Sequence, residues 1–138
     1  MAYNQNISSV ILPPKTVVEA SPADVFTWIV EKPMLVRDVS IIISEVVALD
    51  TTEAVVSLDY TPSGGARAEK ATLTTTTATA LGAELIASEV SGVTWTPFFV
   101  EEGDTLHFEH KTQGVDNGTA TGDYRFKLYF DWIPNGVV

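Results

Sequence analysis

The stretch Asp123-Tyr124-Arg125-Phe126-Lys127-Leu128-Tyr129-Phe130-Asp131-Trp132-Ile133 decides the fold. Tyr124, Phe126, Leu128, Phe130 and Trp132 are large and apolar, and they alternate with Asp123, Arg125, Lys127, Tyr129 and Asp131. Side chains that repeat with a period of two line one side of a β-strand, whereas a helix needs a period of 3.6, so this segment is a strand with one buried face.

The same rhythm recurs upstream. Residues 53–61 set Ala54, Val56, Leu58 and Tyr60 against Glu53, Val55, Ser57 and Asp59, and end at the turn cluster Pro62-Ser63-Gly64-Gly65. Residues 35–49 place Leu35, Val39, Ile41, Ile43, Val47 and Leu49 on one face with Asp38, Ser40 and Ser44 opposite, which predicts a long, bent central strand. After the turn Glu101-Glu102-Gly103-Asp104, Leu106, Phe108 and His110 alternate with Thr105, His107, Glu109 and Lys111. Shorter strands are expected over residues 7–12, 15–20, 25–31, 71–79 and 95–100. Ser21-Pro22-Ala23-Asp24 has the form of a helix capping box, yet the β-branched and aromatic run after it favours a strand. Residues 83–89, between Gly82 and Gly92, read as a loop or a short strand. The sum is an all-β, antiparallel β-sandwich of about eight strands.

A chain of 138 residues suits one domain with one core. It contains no cysteine, so disulfides and thiolate metal sites are excluded. Eighteen acidic residues against eight basic ones give a net charge of -10, which repels phosphate backbones and anionic membrane surfaces. Neither nucleic acid nor membrane is an expected partner. No apolar run approaches the length needed to span a bilayer as a helix. The hydrophobic content, 45%, is high for a small sandwich that must also coat itself with water-compatible residues, and part of it is expected at a subunit interface. The threonine- and alanine-rich residues 71–80 are either an ordinary strand or a charge-free subunit contact.

No catalytic constellation is legible. His107 and His110 are three apart on a strand and face opposite sides of the sheet, so they cannot share a metal ion. Gly64-Gly65-Ala66-Arg67 lacks the helix that a phosphate loop requires and reads as a hairpin turn. Glu101, Glu102 and Asp104, and again Asp116, Asn117 and Asp123, are oxygen-rich but lack the spacing of a calcium loop. No cofactor or metal is expected. Among the aromatic residues, Trp28, Trp132, Tyr60 and Tyr124 fall on inward faces, and Trp95 and Tyr129 are the two expected to be exposed. The sequons at Asn6 and Asn117 carry weight only with a secretory signal, and residues 1–14 have neither the basic region nor the apolar core of one.

Those first fourteen residues carry no charge and end in Pro13-Pro14, which withholds two ladder donors and turns the chain away from its sheet. They read as an N-terminal arm ahead of a domain over residues 15–138, with Ile7, Val10, Ile11, Leu12, Pro13 and Pro14 as the partner-binding candidates. The competing reading is a first strand paired within its own sheet.

The order of features over residues 26–134 resembles the jelly-roll modules of tailed-phage virion proteins. The matching residues are Phe26-Thr27-Trp28-Ile29-Val30 leading through Lys32-Pro33 into residues 35–40, then Ala54 to Tyr60 before a glycine turn. Pro97-Phe98-Phe99-Val100-Glu101-Glu102-Gly103-Asp104-Thr105-Leu106 follows, and the aromatic strand 124–132 closes the chain after the glycine-rich residues 114–122. The resemblance implies a jelly roll and a homotrimer on a virion, made in the host cytoplasm. A short chain without shaft sequence looks like a head decoration or cement protein bound to the major capsid protein at the capsid surface. A receptor-binding or carbohydrate-binding tail-fibre knob is the alternative, and on either reading the protein is not an enzyme.

Overall fold

The structure is a computed structural model, and it describes residues 8–16, 23–48, 54–75, 81–111 and 121–133. Within them lie ten strand segments and no helix: β1 (Ser8–Ile11), β2 (Lys15–Thr16), β3 (Ala23–Ile29), β4 (Met34–Ala48), β5 (Ala54–Thr61), β6 (Ala68–Thr75), β7 (Glu84–Ile86), β8 (Phe98–Val100), β9 (Thr105–His110) and β10 (Thr121–Trp132).

Two antiparallel sheets form a sandwich. In the first, β10 and β4 are central; β1 and β2 pair with the free side of β10, and β7 and β8 with the free side of β4. The second has the order β3-β9-β5-β6. If β1 with β2 is one interrupted strand, and β7 with β8 another, eight strands remain. The first then pairs with the eighth, the second with the seventh, the third with the sixth and the fourth with the fifth. A long hairpin rolled around a core gives that order, so the sandwich is a jelly roll.

The alternations seen in sequence build the core. Tyr124, Phe126, Leu128 and Phe130 of β10 face Val56 and Leu58 of β5 and Leu106 and Phe108 of β9, all buried. Edge-to-face ring contacts cross between sheets, Phe108 to Phe126 at 5.2 Å and Trp28 to Phe130 at 5.7 Å. Each such side chain contributes about 2–3 kcal/mol by leaving water.

Two face assignments are corrected. The register steps from Asp38↔Tyr129 to Val36↔Phe130, so Arg37 is a bulge residue in β4. The bulge reverses the alternation, burying Met34 and Val36 and sending Leu35 outward. Trp132, the last residue of β10, is 47% exposed because it lies on the rim of the sandwich, where its ring meets Phe130 in a T-shaped contact at 5.0 Å.

The arm is also corrected where it is described. Ser8–Ile11 pair with β10 from Ser8↔Phe130 to Ile11↔Lys127, the Leu12 N–H donates to Phe126 O, and the Leu12 side chain enters the core. From residue 8 onward the segment belongs to its own sheet, because Val10 and Leu12 meet an apolar face there. The Pro13-Pro14 pair interrupts the strand without releasing it, since β2 resumes the pairing at Lys15↔Tyr124.

Candidate functional site

At one end of the sandwich the connections over residues 30–33, 62–67 and 101–104 meet around Asp104. Pro62-Ser63-Gly64-Gly65 is a tight turn closed by the Gly65 N–H on Pro62 O at 2.8 Å. Gly64 has a φ of 75° at its third position, where a side chain would be strained. The Asp104 carboxylate accepts from Ser63 N–H at 2.8 Å, Glu101 N–H at 2.8 Å and the Tyr60 hydroxyl at 2.7 Å. Burial raises the Asp104 pKa, but the two backbone donors and the phenol outweigh it and hold the group below its ordinary value. Tyr60 is pushed up to about 12, by burial and by the Asp104 carboxylate. Asp104, weighed in sequence as a calcium ligand, is a buried staple between two turns.

The outer face of the second sheet carries a dense polar cluster. Outward alternation places Asp24 on β3, His107 and Glu109 on β9, and Ser57, Asp59 and Thr61 on β5. Arg67, just after the glycine turn, reaches across them: its Nε donates to Asp59 at 2.7 Å and its Nη2 to Asp24 at 2.8 Å and Glu109 at 3.2 Å. Ser57 bonds Asp59 at 2.9 Å and is fully buried beneath this layer. Burial raises the Asp24 pKa, but the hydrogen bonds from Arg67 and His107 prevail and the group stays below its ordinary value.

His107 bridges Asp24 to Thr61, with Nδ1 3.1 Å from the carboxylate and Nε2 2.9 Å from the hydroxyl. This is the connectivity of a hydroxyl, base and orienting acid in hydrolytic triads. Arg67, however, grips the same carboxylate with Nη1 and Nη2, so Asp24 already has a cation to compensate. The cluster also ties edge strand β3 to β9, β5 and the β5–β6 turn. It also answers the hairpin reading of residues 64–67, because Arg67 meets carboxylates.

The two histidines do face opposite ways. His110 is buried, with Nδ1 2.7 Å from the Tyr124 hydroxyl, and burial raises the Tyr124 pKa so that the phenol stays neutral. Among the described residues no group of three or more His, Asp or Glu is arranged to hold a metal ion. No described helix is long and apolar enough to cross a membrane.

The aromatic expectations change. Tyr129 is half-buried with its hydroxyl on Glu84, and Trp95 packs on the core while its Nε1–H donates to Arg37 O at 2.8 Å. Among the described residues the exposed large apolar side chains are Phe26 and Ile29 on β3, Phe99 on β8, Trp132, Ile11 and Leu81. Of the partner-binding candidates, Ile11 is exposed, Pro13 and Pro14 are exposed, Val10 packs against the core, Leu12 is inside it, and Ile7 lies outside the described residues. Asp116 and Asn117 of the second oxygen-rich cluster lie outside them too. No family model, no curated protein and no solved structure matches the chain.

Sequence reasoning placed Ser57, Asp59, His107 and Glu109 on outward faces but could not bring them together. Asp24 and Arg67 are 43 positions apart, and only the β3-β9-β5 order joins them.

Proposed function

We propose that this chain is a structural protein of a tailed-phage virion, a head decoration or cement protein that binds the outer surface of the capsid shell. The observation that carries the reading is the rolled eight-strand order, the architecture of the modules that the sequence resembles. Two further features support it. The net charge of -10 suits a surface facing away from packaged DNA. Exposed apolar side chains gather on strand margins and the sandwich rim, where a flat shell or a neighbouring copy can cover them. Several modest contacts repeated across a lattice then give avidity that no single contact has.

The exposed Trp132 ring favours a second reading, a tail-fibre knob that stacks a sugar face on it. One experiment separates the two. Antibody raised against the purified chain and coupled to gold is applied to intact particles and viewed by electron microscopy. Label on heads is the expected result, label at tail tips supports the knob, and particles free of label overturn both.

A further inference from the structure

We infer that β3 is a docking edge for a second copy of the chain, the two β3 strands pairing antiparallel about Thr27. The inference does not depend on the virion reading, since it concerns only how the chain meets itself.

The first support is the state of the edge. β3 lies at the margin of its sheet, and among the described residues only β9 pairs with it. The Val30 N–H points inward, to Asp104 O at 2.8 Å, and the register from Phe26↔Phe108 to Ile29↔Thr105 is unbroken. In an antiparallel ladder, bonding direction alternates along the strand, so Thr27 and Ile29 turn their N–H and C=O groups outward. Outward ladder groups in a row specify an extended strand as the partner.

The second support is what the edge carries. Natural edges are usually blunted by charge or proline, and β6, the opposite margin of the same sheet, has Glu69 and Lys70. Residues 25–30 have neither a charge nor a proline, and they expose Ile29 (64%) and Phe26 (40%) to water.

The third support is self-complementarity. A two-fold axis through Thr27 sets Phe26 beside Trp28 of the second copy and the reverse, two aromatic cross-strand pairs made by one sequence. Copies that each carry a net charge of -10 repel in general, so a homotypic contact needs a charge-free path. In this register the two Asp24 side chains stand about 20 Å apart, at some 3.3 Å per residue, well beyond the screening length of about 8 Å at physiological salt, and the nearest acid across the axis is Glu31 at the strand end, whose approach the Arg67 beside Asp24 offsets. Each Asp24 is also held by Arg67, which fixes the edge before the partner arrives and lowers the ordering cost of docking.

The test is light scattering of the full chain over a concentration series, with circular dichroism as the folding control. Wild type is expected to reach the dimer mass. Ile29→Lys and Thr27→Pro are expected to weaken association by about tenfold or more, roughly 1.4 kcal/mol or above, with melting close to wild type. Both changes suit a free edge, where proline removes only an outward donor. Thr27→Cys, a milder change that keeps the strand intact, is expected to give a disulfide-linked dimer on oxidation. A wild type that stays monomeric throughout, a trimer mass, or an Ile29→Lys chain that associates like wild type would each overturn the inference.

Discussion

Asp104 and Arg67 both anchor the glycine turn over residues 62–67, and they do it with opposite chemistry. Asp104 is an anion wrapped by neutral donors, two backbone N–H groups and a phenol, and it is 4% exposed. Arg67 is a cation wrapped by three carboxylates, with 35% of its side chain open to solvent. The first arrangement confines one charge and satisfies it locally, so its removal leaves orphaned donors in a buried place. The second spreads charge across a wet face, where salt and water weaken every pair. One hub should therefore dominate stability, and the other should be tunable by solution conditions.

The largest effect is expected from Asp104→Ala, about 2–4 kcal/mol of unfolding free energy, because three donors lose a charged acceptor. Asp104→Asn should recover part of that loss in urea denaturation, since an amide oxygen still accepts; equal losses for the two variants would mean that packing at the site, and not acceptor chemistry, matters.

Acidification comes next, because it removes part of both hubs at once. Asp104 and Asp24 have folded-state pKa values below the ordinary value of 3.8. Their stabilisation is thus complete above the unfolded value and is lost as pH falls through the lowered folded values. A urea midpoint that is level from neutrality to about pH 5 and falls below about pH 4 is the expected profile. The fall should be shallower in Asp104→Ala.

Arg67→Met is expected to cost about 1 kcal/mol at low salt, since it leaves Asp24, Asp59 and Glu109 facing one another. The cost should change as sodium chloride is added, whereas that of Asp104→Ala should hold steady. Parallel salt profiles would erase the distinction between the hubs. The smallest effect belongs to Lys111→Met. Its ion pair with Glu69 lies on the exposed face of the same sheet and should be worth no more than about 0.5 kcal/mol.

Most of the sandwich was legible because period-two alternation reports directly on which face is buried. It succeeded for β5, β9 and most of β10, where the inward series runs Val56, Leu58 and Tyr60, then Leu106 and Phe108, then Tyr124 to Phe130. It failed at Arg37, since a bulge is set by the pairing register and leaves no mark in the alternation of β4 alone. It failed at Trp132 because burial there depends on how far neighbouring elements reach along the rim. The first strand was hard to assign for a related reason. Prolines at 13 and 14 announce an interruption, yet they are silent on whether pairing resumes. The hubs were invisible in sequence. Asp104 looked like one acid among several in a turn, and Arg67 like the tail of a hairpin, until strand order brought their partners within reach.

The position of β10 sets a schedule for synthesis. β10 lies in the middle of the first sheet, between β4 and the pair β1 and β2, although it follows all three in the chain. Until it has emerged, β4 and the pair β1 and β2 lack their common neighbour, and the inner face that carries Ile41, Ile43 and Leu12 is incomplete. The sandwich cannot close progressively from its N-terminus as the chain emerges. Folding waits for β10, which must find partners in β4 that lie 73 to 98 positions upstream, and nascent chains that stall short of it would expose unpaired apolar strands to their neighbours.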